Sequence, residues 1–196
     1  MTHKGTVTLE TERLILRRFT MDDLESIFYN CWGDFDVWKW TNYEPMYCVE
    51  DVIDAAGIFT EKWLGAYNKT DRYNWAIQLK ESGEAIGRLF GRHPDDRVGQ
   101  IELTYEIGQD WWNQGLMTEA VKAVLDFLFC QVGFNRVYAY HADGNPASGR
   151  VMQKCGMTCE GTLRQACLCN NGLFDEVVYS ILADEYMASR RKEEIH

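Results

Sequence analysis

The feature that most constrains this chain is a strand, a short glycine-containing loop and an amphipathic helix in immediate succession. Residues 101–107 form a mainly apolar run that reads as a strand, and Asp110, Trp111, Trp112, Asn113, Gln114, Gly115, Leu116, Met117 and Thr118 make the loop. From Val121 the apolar residues fall at Val124, Leu125, Leu128, Phe129 and Val132, the spacing of one buried helical face, while Lys122 and Asp126 face outward. Such a loop presents unpaired backbone N–H groups with the positive end of a helix dipole behind them, which suits a phosphate or pyrophosphate. Many α/β domains also carry a glycine at a strand-to-helix turn that binds nothing, so the loop needs a confirming context.

The rest of the chain supplies partners for this unit. Residues 13–19 read as a first strand, Thr20 as a helix N-cap with Asp22 and Asp23 in the first turn, and 49–67 as a second helix. Between the two helices stand Trp32, Phe35, Trp38, Trp40, Tyr43 and Tyr47, which form either a satellite core or part of an acceptor pocket. Residues 73–80 and 85–91 read as strands joined by Ser82-Gly83, with a turn at Pro94, Asp95 and Asp96 before the strand at 100–107. A strand at 136–141 completes a βαβ unit, so it is expected parallel to 100–107. Asn145-Pro146 then caps a helix that ends at Gly156, and 160–168 with 173–182 reads as a hairpin around Asn170, Asn171 and Gly172.

Composition narrows the functional classes. The 196 residues, 46% hydrophobic and 26% charged, suit one soluble domain (1–196, with a core at 9–186 and a charged tail at 187–196). No apolar run approaches the roughly 18 residues that span a bilayer, and a cytoplasmic location is expected. Seven cysteines without paired spacing suggest reduced, packed thiols and no metal site. A net charge of −10 disfavours nucleic acid and an anionic membrane as partners. A cationic amine would be drawn in, although a plainly soluble acidic surface explains the charge equally.

Four phrases, in order, carry a resemblance: Thr11 to Arg17 (TERLILR), Trp112 to Ala120 (WNQGLMTEA), Asn145-Pro146-Ala147-Ser148 with Cys155-Gly156-Met157, and Glu160 to Arg164 (EGTLR). Together with the element order they resemble the GCN5-related N-acetyltransferase (GNAT) superfamily, in particular its RimJ/RimL-like branch, and they span nearly the whole chain. The resemblance implies an α+β (α/β) fold: a mixed central sheet of about seven strands, helices on both faces, and a splay between strands 4 and 5, here 100–107 and 136–141. It implies an acetyl-CoA-dependent acyltransferase that uses no metal. The acceptor would be an amine, either a protein or peptide N-terminus or a small molecule such as a polyamine, an aminoglycoside or an amino-acid-like amine. The protein would act as a monomer or homodimer. A non-catalytic CoA-binding module on the same fold, or a purely structural α+β protein, are the competing readings.

The site residues follow from the same resemblance. Backbone groups around Tyr105, Glu106 and Ile107 would pair with the pantetheine arm, and Asn113, Gln114, Gly115, Leu116, Met117 and Thr118 would hold the pyrophosphate, with Asn145 and Ser148 contributing from the next helix. Relatives often have Gly where Asn113 stands and Gly or Ala where Met117 stands, so a more crowded loop is expected. Glu102 is the first candidate for the base, since strand parity sets it on one side with Glu106. The Ile107 N–H would stabilise the oxyanion, and the Ser148 hydroxyl would serve the leaving thiolate unless it caps its own helix. Many relatives use a tyrosine on the helix after Asn145, but this chain has none between 141 and 178. Some ribosomal-protein acetyltransferases of this branch carry a glutamate where Cys167 stands. On the acceptor side the candidates are Trp32, Trp40 and Cys167, the last read as packing rather than as a nucleophile.

Overall fold

Alternation of apolar residues organises one open sheet, seen in a computed structural model that describes residues 1–52 and 65–193. Its strands are β1 (Leu9–Glu10), β2 (Leu14–Arg17), β3 (Tyr73–Leu79), β4 (Ala85–Asp95), β5 (Gln100–Ile107), β6 (Arg136–Ala142), β7 (Thr158–Cys169) and β8 (Gly172–Leu182). They lie in the order β1-β2-β3-β4-β5-β6-β8-β7. The described residues thus hold eight strands rather than about seven, because the two-residue β1 pairs with β2 ahead of the expected first strand. The expected splay between strands 4 and 5 therefore falls between β5 and β6.

Helices cover both faces. On one side α3 (Leu116–Asp126) continues through a wider turn at Phe127–Val132, closed by the Gly133 N–H on Leu128 O (2.9 Å). Its apolar stripe packs Val121, Val124, Leu125 and Leu128 on Leu14, Leu16, Trp75, Ile77, Ile101 and Val137 of the sheet. On the other side α1 (Leu24–Ile27), a wide turn at Phe28–Trp32 and α2 (Phe35–Trp38) bury Phe19, Ile27, Cys31, Trp32, Val37 and Trp38 in a second core. The aromatic segment is thus partly a satellite core, as one of the two expectations held. The chain enters α1 through Thr20, whose N–H and hydroxyl donate to the Asp23 carboxylate (2.8 and 3.1 Å). Arg17 donates to the same carboxylate through Nη1 and Nη2 (2.7 and 2.6 Å). α4 (Pro146–Lys154) follows β6, and α5 (Ala183–Glu193) follows β8.

Several expectations change in detail. The turn at 94–96 is displaced, since β4 runs through Pro94 to Asp95 and the chain turns over 96–99, with Gly99 at φ +67°. Pro94 is tolerated because the β4–β5 ladder is irregular between Arg92 and Asp95, where no ladder N–H is demanded of it. Of the helix expected over 49–67, residues 49–52 are helical and Gly65–Asn68 is a tight turn, while the stretch between lies outside the described residues. α5 crosses the expected boundary at 187: Tyr186 stacks on Phe129 (ring centroids 5.0 Å), and the Tyr186 hydroxyl and Arg190 both donate to Asp126. Among the described residues no helix is long and apolar enough to cross a membrane.

Candidate active site

The cleft begins as a consequence of sheet pairing. β5 and β6 are parallel neighbours only where residues 100–102 face 136–138; beyond that β5 stays with β4 and β6 stays with β8. Backbone parity decides what faces the gap. The Gly108 N–H bonds Ile86 O (3.0 Å) while Gly87 and Ile107 are register partners. Bonded and non-bonded pairs alternate in an antiparallel ladder, so Glu102, Thr104 and Glu106 turn their backbone toward β4. Leu103, Tyr105 and Ile107 turn theirs into the gap. Glu106, expected to share in backbone pairing there, instead has its N–H and C=O on the Arg88 side. The Ile107 carbonyl already accepts from Trp112 Nε1 (2.8 Å), which ties the strand end to the loop and leaves the Ile107 N–H facing the gap.

The loop is shaped by two left-handed residues, Asn113 (φ +59°) and Gly115 (φ +80°). Asparagine is among the few side chains that tolerate this region, which explains how it stands where relatives often have glycine. No side chain caps α3, and its first intrahelical bond runs from the Glu119 N–H to Gly115 O (3.0 Å), so the N–H groups of Leu116, Met117 and Thr118 are helix-start donors. Trp112, Asn113, Gln114 and Gly115 are exposed, whereas Leu116 and Met117 are buried. The crowding expected from Met117 does not arise, because its side chain packs in the main core.

A clip from the N-terminal phrase holds this loop. Glu119, in the first turn of α3, accepts from the Thr11 hydroxyl (2.6 Å), the Arg13 N–H (2.9 Å) and Arg13 Nε (2.8 Å). Arg13 Nη1 then donates to Gln114 O (3.0 Å). Thr11, Arg13 and Glu119 stand in two of the phrases that carry the resemblance, more than a hundred residues apart, and that shared occurrence is the clip's signal in the sequence.

Two further groups meet at the gap. The Ser148 hydroxyl, on the first turn of α4, donates to the Tyr105 hydroxyl (3.1 Å), which donates in turn to Ser148 O (3.0 Å). Ser148 thus spans to β5 rather than capping its own helix, and burial pushes the Tyr105 phenol well above its usual range. The phenol beside Ser148 thus stands on β5 and not on the helix after Asn145. Asn145 occupies the N-cap without a side-chain bond to the helix.

The opposite face of the same strands is acidic and aromatic. Glu102, 6% exposed, accepts from the Thr104 hydroxyl (3.2 Å) and the Tyr138 hydroxyl (3.5 Å), with Arg92 Nη1 at 3.8 Å. Glu106 is held by Arg88 Nε (2.7 Å) and the Trp32 indole N–H (3.0 Å). Trp32 is only 1% exposed and presents no surface to a ligand; it reaches the site through Glu106. Trp40 packs on Phe174 (5.2 Å) in a small cluster with Ala142, Cys167 and Cys169. Burial, then Cys169 and the charges of Glu176 and Asp143, raise the Cys167 thiol to about 12, the opposite of what a nucleophilic thiolate needs. The Asn170 and Asn171 N–H groups bond Thr41 O (2.7 Å) and Lys39 O (3.1 Å), so the aromatic segment and the β7–β8 hairpin form one wall.

The comparisons address this same region. The sequence model of the family described as "Acetyltransferase (GNAT) domain" matches residues 13–158. An uncharacterized N-acetyltransferase, YoaA, of Bacillus subtilis (strain 168) is 32% identical over 174 residues, 89% of this chain and 96% of that protein. The ribosomal protein uS5-alanine N-acetyltransferase of Escherichia coli (strain K12) is 27% identical over 197 residues, 94% of this chain and 95% of that one. The crystal structure of a GNAT-family acetyltransferase from Bacillus anthracis matches with a TM-score of 0.76 at 27% identity, covering 91% of this chain and 99% of that chain. The matched span holds the splayed strands, the left-handed loop and the helix bearing Ser148, so geometry and comparison bear on the same residues, and the chain belongs to the GNAT family of N-acetyltransferases.

Proposed function

We propose that this acyltransferase passes the acetyl group of acetyl-CoA, the co-substrate of its family, directly to the primary amine of a protein or peptide N-terminus. The observation that carries the reading is the gap between β5 and β6, with free backbone on one side and a carboxylate-lined face on the other. The donors fit the co-substrate: Tyr105 and Ile107 backbone groups would pair with its amide-rich arm, as an added strand does. The N–H groups from Gln114 to Thr118, shaped by Asn113 and Gly115, would hold its pyrophosphate, with Asn145 beside them. Acetyl-CoA supplies the activated thioester.

The protein's own residues then have separable tasks. The Ile107 N–H stabilises negative charge developing on the carbonyl oxygen. Ser148, supported by Tyr105, offers a hydroxyl where the departing sulfur needs a proton or a hydrogen bond. Glu102 and its neighbours draw in the acceptor as an ammonium, and a carboxylate of this face must take one proton before the amine can attack. The relative that acts on ribosomal protein uS5 supports a protein N-terminus.

A small cationic amine is the second reading, favoured by the buried carboxylates Glu102 and Glu106 on one face and by the chain's net charge of −10. The test is incubation with acetyl-CoA and a panel of N-terminal peptides and polyamines, following free thiol release and acetylated product. Peptide acetylation is expected. Turnover of polyamines alone would select the second reading, and release of thiol with no acceptor in the panel would overturn both.

A further inference from the structure

We infer that Glu176, and not Glu102, takes the proton from the acceptor ammonium, with Glu102 serving as a positioning residue beside it; the inference rests on the acetyl-transfer reading above. Among the described residues the carboxylates of this sheet face have different surroundings; Glu160, toward its far end, is engaged by Arg136 and Ser180. Glu106 is engaged by Arg88 and Trp32. Glu102 is engaged by Thr104 and Tyr138, with Arg92 nearby. The Glu176 carboxylate makes no hydrogen bond and no ion pair among the described residues, and the residue is half-buried. A carboxylate whose lone pairs are already committed is a poor proton acceptor; one that is open is a good one.

Register places Glu176 on the Glu102 face of the sheet. Tyr138 pairs with Ser180 and Ala142 with Glu176 across β6 and β8, so alternation puts Glu176 on the face where the Tyr138 hydroxyl meets Glu102. Ala142 is the last residue of β6, and α4 with Ser148 begins only a few residues later. Glu176 therefore flanks the mouth of the gap.

The groups around it leave one dominant charge. Burial, then the Glu102 charge on β5, raise the Glu176 carboxyl above its usual value. Tyr140 on β6 is raised to about 12, first by burial and next by Glu102, and the Cys167 thiol on β7 also lies at about 12, so both are neutral near pH 7. Arg92 on β4 stands on the Glu102 side, and Asp143 lies toward Cys167. The open Glu176 carboxylate, raised by burial and by the neighbouring Glu102, is thus set to exchange a proton. The ammonium N–H bond breaks as the Glu176 O–H forms, and the freed pair on nitrogen attacks the thioester carbonyl. The second proton lost from nitrogen goes to the departing thiolate, and Glu176 returns its own to solvent.

The experiment compares wild type, Glu176→Gln, Glu176→Asp and Glu102→Gln, with spermidine and an alanine-initiated peptide as acceptors. Loss of the base should lower kcat/KM for the amine about 10²-fold or more in Glu176→Gln and remove the acidic limb of the pH profile, with acetyl-CoA affinity unchanged. Glu176→Asp should retain part of the rate and keep the limb. Glu102→Gln should raise the KM for the amine, keep the acidic limb and shift it to lower pH, since the like charge that raises Glu176 is gone. Carbon-13 NMR of the glutamate carboxyls gives a readout without turnover: Glu176 should titrate above the ordinary glutamate range and move down in Glu102→Gln. Near-wild-type rate and pH profile in Glu176→Gln, or an unshifted Glu176 titration, overturns the inference alone. Wild-type inactivity on every amine overturns the transfer reading and this inference with it.

Discussion

Replacing Glu119 with alanine should both destabilise the fold and weaken acetyl-CoA binding, because one carboxylate joins the N-terminal strands to the loop proposed to hold the coenzyme. The substitution removes bonds from the Thr11 hydroxyl (2.6 Å), the Arg13 N–H (2.9 Å) and Arg13 Nε (2.8 Å), together with the ion pair to Nη2 (2.7 Å). The Arg13 side chain is 44% exposed, so solvent discounts the ionic part, while the Glu119 side chain is only 18% exposed. Hydrogen bonds to a charged group contribute about 1.5–3 kcal/mol but are not additive here, so we expect a net loss of about 2 kcal/mol. For a chain of this size that lowers Tm by about 4–8 °C. Arg13 would also release Gln114 O, so acetyl-CoA affinity measured by calorimetry should fall with it. The pH dependence has a definite sign. Burial pushes the Glu119 carboxyl up, but the Thr11 hydroxyl, the Arg13 N–H and the guanidinium outweigh it, so its pKa lies below the ordinary 4.5. Its stabilisation is therefore complete above that value and is lost as pH falls through the lowered folded-state pKa. The Tm gap between wild type and Glu119→Ala should close in that acid window. An unchanged Tm with unchanged acetyl-CoA affinity would refute the clip.

Further expectations concern other parts of the site and its support. Ser148→Ala and Tyr105→Phe should each lower kcat while leaving the KM for acetyl-CoA nearly unchanged; a fall in Tm matching the fall in rate would mean the pair only braces α4 on β5. Gly108→Ala should cost at least about 3 kcal/mol, because a Cβ there would lie 1.6 Å from the Asn30 carbonyl oxygen, and urea unfolding would measure it. Asp23→Asn should cost about 2 kcal/mol by leaving Arg17 half-buried without its charge partner. Burial raises the Asp23 carboxyl, but Arg17 and the Thr20 N–H outweigh it and lower it below 3.8, so this stabilisation holds above that pH and vanishes as pH drops through the lowered value.

Much of the scaffold could be read locally. The stripe from Val121 to Val132 reappears as the buried face of α3, and the parallel relation of β5 to β6 follows from the helix between them. Thr20 caps its helix through Asp23, and Ser82-Gly83 turns the chain from β3 to β4 with Gly83 at φ +77°. These succeed because period, caps and turn residues act over a few neighbours. Where expectation shifted, distant chain was responsible. Pro94 stays in a strand because its partner across the ladder is irregular there, and the C-terminal helix extends past 187 because Phe129 and Asp126 receive it.

By itself the sequence determined the family, the left-handed loop at the start of α3 and most of the strands and helices around it, since each is written in contiguous phrases. Only the tertiary structure decided which backbone groups open into the gap, that the hydroxyl meeting Ser148 is Tyr105, that Trp32 is buried behind Glu106, and that Glu176 shares the Glu102 face with its carboxylate unpaired among the described residues. Each of these is a matter of register between strands far apart in the chain, and register is set by how whole faces pack together rather than by any residue's neighbours in sequence.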